Sequence, residues 1–112
     1  MMNEPTTTER ASGALFIREC ELPSAGNVLP THAHKYDHTM FFMSGRALLT
    51  TTLPDGTVCE YQLEAPTTHL VEKGIRHKIL ALTDDVRFSC VFVHRDAVGK
   101  VALESIDWKA YW

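Results

Sequence analysis

The sequence has little with which to grip nucleic acid, span a bilayer or build a disulfide framework. Its 14 acidic and 11 basic residues leave a formal charge of -3, and no segment gathers Lys or Arg. The counterion release that drives binding to a phosphate backbone therefore has little to act on. No apolar run approaches the roughly 20 residues that span a bilayer. Met1 to Arg10 is polar and Thr-rich, without the hydrophobic centre of a signal peptide. The expectation is a cytoplasmic chain with neither nucleic acid nor membrane as partner. Cys20, Cys59 and Cys90 are odd in number and far apart, which argues against disulfide pairing and against a paired-cysteine zinc knuckle. They read as reduced thiols. Six Gly and five Pro are too few for a collagenous or low-complexity chain, and helical periodicity is scarce.

What is present fits a single all-β domain. At 112 residues there is room for one hydrophobic core. Residues 1–12 show no apolar period and read as a flexible arm or one that lies across a partner subunit. From residue 13 to 112, short stretches rich in β-branched and aromatic residues recur every 8 to 12 residues or so between turn residues, the pattern of a sandwich or barrel. Strands are expected near 14–19, 27–32, 38–44, 47–53, 57–63, 67–72, 75–82 and 86–94. Leu53-Pro54-Asp55-Gly56 is the strongest turn signal, since Pro presets φ and Gly supplies a positive one, so 47–63 reads as a hairpin. A further short strand over 101–106 and a cluster of Trp108, Tyr111 and Trp112 are expected as a lid or a dimer contact.

Histidines fall on this pattern in a telling way. His32 and His34 are two apart, so on an extended strand both rings leave the same face with backbones about 6 to 7 Å apart, close enough to share a metal. His38 opens the next strand. His77 shares a face with Ile75, Ile79 and Ala81, where an imidazole with no partner would cost about 1 to 3 kcal/mol. A metal ion would satisfy it. His69 and His94 each stand alone and read as structural or supporting groups. Inward parity also points Cys59, Tyr61, Met40, Phe42, Phe88, Cys90, Phe92 and His94 at the interior. Most of these read as core. Tyr61 and His94 are the candidate catalytic groups, Tyr61 as one that orients a substrate oxygen.

Gly26, His32, His34, His38 and Gly45, separated by five, one, three and six residues, resemble the first signature of the cupin superfamily, with His38 where that family commonly has Glu. Gly74 and His77 resemble the Gly and the metal-binding His of the second signature, while Pro66, Glu72 and Ala81 replace its Gly, Pro and Asn. The resemblance covers residues 14–94. It implies a double-stranded β-helix (jelly-roll) barrel that holds one divalent metal near its wider mouth through His32, His34, His38 and His77, and it implies a homodimer.

Four neutral imidazoles would leave the ion its full charge as a Lewis acid toward an anionic group. Imidazole suits Zn, Cu, Fe and Ni alike, so the ligands do not choose the metal, and the small cupins that this chain resembles make an Fe- or Mn-dependent enzyme the leading expectation. They also point to dioxygenase-like oxidation or cleavage of a small organic substrate, here in an apolar pocket that accepts few charges. Two further readings stay open: a non-catalytic cupin that binds a small ligand, and an isomerase or lyase that needs no oxygen.

Overall fold

A computed structural model describes residues 4–34 and 36–93. Nine strands are formed among them: β1 (Thr6–Ser12), β2 (Leu15–Leu22), β3 (Val28–His32), β4 (His38–Ser44), β5 (Arg46–Thr52), β6 (Val58–Glu64), β7 (Thr67–Val71), β8 (Arg76–Ala81) and β9 (Val86–Val93). They make two sheets of antiparallel pairs, one of five strands in the order β1-β2-β9-β4-β7 and one of four in the order β3-β8-β5-β6. The described residues contain no helix, so none is long and apolar enough to cross a membrane.

Alternation drives the assembly. In β9, Val86, Phe88, Cys90 and Phe92 are buried while Arg87 and Val93 are exposed, because successive side chains leave opposite faces of a strand. The same period buries Met40 and Phe42 of β4, Ala47 and Leu49 of β5, and Ile79 and Ala81 of β8. These inner rows meet between the sheets as one core, each large apolar side chain contributing about 1.5 to 3 kcal/mol by leaving water. Phe42 and Phe88 stack within it, centroids 4.9 Å apart.

The expected hairpin is present, with β5 and β6 in register from Arg46↔Glu64 to Thr52↔Val58. Its turn closes through Leu53 N–H to Thr57 O at 2.8 Å and Gly56 N–H to Leu53 O at 2.9 Å. Gly45, alone between β4 and β5, has φ +81°, and a Cβ there would sit 2.8 Å from Val86 Cγ2. No side chain fits that approach.

One strand differs from expectation. Residues 1–12 read as an arm, yet Thr6–Ser12 pairs along its whole length with β2, from Thr6↔Glu21 to Ser12↔Leu15. All seven residues are exposed, so β1 has no apolar face to announce it. Its Thr-rich composition and its backbone bonds to β2 are what make it a strand. The stretch 101–106, the Trp108, Tyr111 and Trp112 cluster, and His94 lie outside the described residues.

Candidate metal centre

His32 ends β3, and His77 lies in β8 as its cross-strand partner, which brings together two rings 45 positions apart in sequence with centroids 4.1 Å apart. His34, just beyond β3, has its ring 4.7 Å from that of His32 and 5.3 Å from that of His77. The ligand atoms of His32, His34 and His77 all lie within 4.8 Å of one another, an arrangement able to hold a metal ion. His38, the first residue of β4, places its ring 5.1 Å from His34 and 5.3 Å from His77.

Backbone carbonyls set the tautomers. A carbonyl only accepts, so Nδ1–H of His32 donates to Pro30 O at 2.8 Å and Nδ1–H of His77 to Ile75 O at 3.1 Å. Each ring is then left with its Nε2 lone pair available, as a ligating histidine requires. His38 is different: it is 2% exposed, and neither ring nitrogen has a hydrogen-bond partner among the described residues. A buried imidazole left in that state costs about 1 to 3 kcal/mol per orphaned group. Ligation to an ion amid the other rings would remove part of that cost, so the residues present fit a metal.

Burial keeps these rings neutral. Loss of hydration lowers the pKa of His34 and of His38 to about 3, and the neighbouring imidazoles and Arg18 push the same way. His77 falls to about 4, mainly by burial, with His32 and Arg18 adding to the shift. His32 is lowered by burial, partly opposed by the Pro30 carbonyl. Near neutral pH all four present lone pairs rather than charges.

Two residues beside the cluster carried no role in the sequence reading. Tyr36 stacks on Phe92 at 3.8 Å and on His34 at 5.0 Å, and meets His38 edge-on at 5.9 Å. Burial raises its pKa, so the phenol stays protonated. Its signal was spacing: Tyr36 stands midway between His34 and His38. Arg18 stands in the inward row of β2 between buried Phe16 and Cys20. A charged residue on an otherwise apolar face was the sign of it.

Tyr61 corrects an expectation. Parity points it at the interior as a candidate catalytic group, but it is 40% exposed and its ring packs on His69 at 4.7 Å. The parity is right, since Cys59 and Leu63 of the same row are half-buried. However, β6 is the edge of its sheet, so the row faces a side that the second sheet covers incompletely. His69 lies in β7 opposite Met40 and is not one of the three grouped histidines. Cys20, Cys59 and Cys90 are free thiols, as expected.

Among solved structures the chain is similar to a conserved protein of unknown function from Streptococcus pyogenes, at 19% identity and TM-score 0.68 over 87% of this chain and 80% of that one. It is similar to a cupin superfamily protein from Desulfitobacterium hafniense at 13% identity and TM-score 0.68, over 83% and 80% of the two chains. A Bacillus subtilis oxalate decarboxylase matches at 18% identity and TM-score 0.68, over 92% of this chain and 33% of that one. This chain therefore spans about a third of the decarboxylase. No protein-family model matches the sequence, and no curated protein is similar to it. At these identities the likeness is one of architecture, and the architecture is the cupin fold.

Proposed function

We propose that this cupin-fold chain is a metal-dependent enzyme in which His32, His34, His38 and His77 hold one divalent ion and a small organic substrate is oxidised or cleaved in a dioxygenase-like reaction. The observation that carries the reading is the convergence of three neutral imidazoles with mutually close ligand atoms. His38 joins them as the fourth ligand because its two orphaned, buried nitrogens are otherwise hard to account for in a folded core. Fe or Mn is the favoured metal, and the B. subtilis oxalate decarboxylase of this fold has Mn(II) centres. Zn, Ni and Cu suit the same donors.

When bound, the ion supplies Lewis acidity and positions for substrate to coordinate. The chain's own residues do the rest. Pro30 and Ile75 carbonyls orient two of the rings. Phe92 and Tyr36 form a stacked wall beside His34 that excludes water and offers an apolar surface. The protonated Tyr36 hydroxyl is a donor at that wall.

A homodimer belongs to the same proposal. The outer face of the five-stranded sheet exposes Phe41, Met43 and Leu70, an apolar surface of the kind a second copy would cover.

The test begins with elemental analysis of protein purified without a nickel column. About one ion per chain is expected, falling at least about tenfold in His77→Ala. Full occupancy in that variant would refute the site. Product assays on Fe(II)-loaded protein with a diketone, thiol and phenol panel follow, with and without oxygen. Turnover that needs no oxygen replaces the reaction with an isomerase or lyase, and no turnover at all favours a binding protein.

A further inference from the structure

The inner row of β5 changes character at its last buried position. Ala47 and Leu49 are core residues with no exposure, and Thr51, at the same parity, is 6% exposed and brings a hydroxyl into that row. Packing alone would be served by Val, which has the shape of Thr without the cost of taking a hydroxyl out of water.

Register gives the hydroxyl its neighbours. Thr51 is the cross-strand partner of His77, and His77 on its other side is the partner of His32. Toward the sheet edge Thr51 pairs with Cys59 of β6. One transverse row of the four-stranded sheet thus runs His32, His77, Thr51, Cys59: two imidazoles, a hydroxyl and a thiol. The adjacent row on the same face is Leu29, Ile79 and Leu49 before it reaches Tyr61 at the exposed edge. Directly opposed residues have Cβ atoms about 4.5 to 5.5 Å apart, so the Thr51 side chain starts beside that of His77.

The two imidazoles of this row cannot donate to a substrate. Their Nδ1–H groups are spent on the Pro30 and Ile75 carbonyls, and the remaining nitrogen of each is a lone pair for the ion. A hydroxyl can donate as well as accept, and Thr51 is the residue that brings one to the row.

We propose that the Thr51 hydroxyl donates a hydrogen bond to a substrate oxygen at the metal centre, so that the site selects molecules with an oxygen acceptor next to the atom that binds the ion, such as diketones, enolates or hydroxamates. Thr51 then takes the role that parity gave to Tyr61, whose ring lies at the sheet edge against His69. This inference deepens the proposed function and rests on it for the ion.

Calorimetric titration of acetohydroxamate, a small chelator with two oxygen acceptors, into zinc-loaded protein tests it, with zinc affinity and the denaturation midpoint measured separately. Thr51→Val should weaken acetohydroxamate about fivefold and leave zinc affinity and the midpoint no lower than in wild type. Thr51→Ser, which restores a hydroxyl, should bring the chelator back to within about twofold of wild type. Should Thr51→Val not fold, Thr51→Ala carries the same comparison. A threonine that serves only the fold would lower the midpoint and leave chelator affinity alone. Chelator affinity unchanged in Thr51→Val, a loss that Ser does not recover, or an equal loss of zinc affinity would each overturn the contact. Wild type that binds zinc but no acetohydroxamate overturns the contact and leaves the metal centre standing, whereas wild type that binds no zinc overturns the metal centre and the contact with it.

Discussion

The amide of Gly74 donates to the carbonyl oxygen of His34 at 2.8 Å, tying the turn that launches β8 to the segment that carries a histidine of the cluster. One residue earlier, Lys73 N–H donates to Asp37 Oδ1 at 2.7 Å. The turn before His77 and the bend between His34 and His38 are therefore one hydrogen-bonded unit. A shift of either moves ligating groups on both.

Gly74 has φ +78°, and a Cβ there would meet nothing within 4 Å. Gly74→Ala should therefore cost only the backbone strain of a left-handed residue, about 1 to 2 kcal/mol, read as a lowered denaturation midpoint. Because the same turn positions His34 and His77, metal affinity should fall several-fold as well. Unchanged metal affinity at reduced stability would show that the turn does not govern the site.

Gly45 makes the contrasting case. Its φ is +81°, and a Cβ would also press on Val86, 2.8 Å from Cγ2 and 3.0 Å from the backbone Cα. Gly45→Ala should be the more damaging of the two, by about 1 kcal/mol or more, since overpacking adds to strain. Denaturant unfolding of the two variants side by side decides the order.

His38→Leu should separate a ligand from a structural histidine. In metal-free protein, removing a buried imidazole with two orphaned nitrogens should stabilise the fold by about 1 kcal/mol. In the metal-loaded protein the same change should weaken binding at least about tenfold. A variant destabilised in both forms would mean that His38 serves the core.

Acid stability should report the histidines directly. His34 and His38 titrate at about 3 and His77 at about 4 in the folded chain, against 6.5 when unfolded. Below about pH 6.5 the unfolded state binds more protons than the folded one, so stability falls as pH drops toward 3 and is fully present above 6.5. Metal-free protein should unfold steeply across this window, and His38→Leu should flatten the slope. For the same reason protons compete weakly for the rings, and bound metal should persist to about pH 5 in equilibrium dialysis.

Local order by itself determined a good deal. Alternating burial, the Pro-Asp-Gly turn and the two-residue spacing of His32 and His34 are short-range facts, because side-chain direction along a strand depends only on parity. They were enough for eight of the nine strands, the β5–β6 hairpin and the inward direction of His77. The strand β1 escaped because all seven of its residues are exposed and it carries no apolar period. Only the tertiary structure decided which rows meet. Register between β3 and β8 puts His77 opposite His32, register between β2 and β9 sets Arg18 against Cys90, and the edge position of β6 leaves Tyr61 half in solvent. Such pairings follow from how two sheets close over a common core, a long-range packing energy that no window of sequence contains.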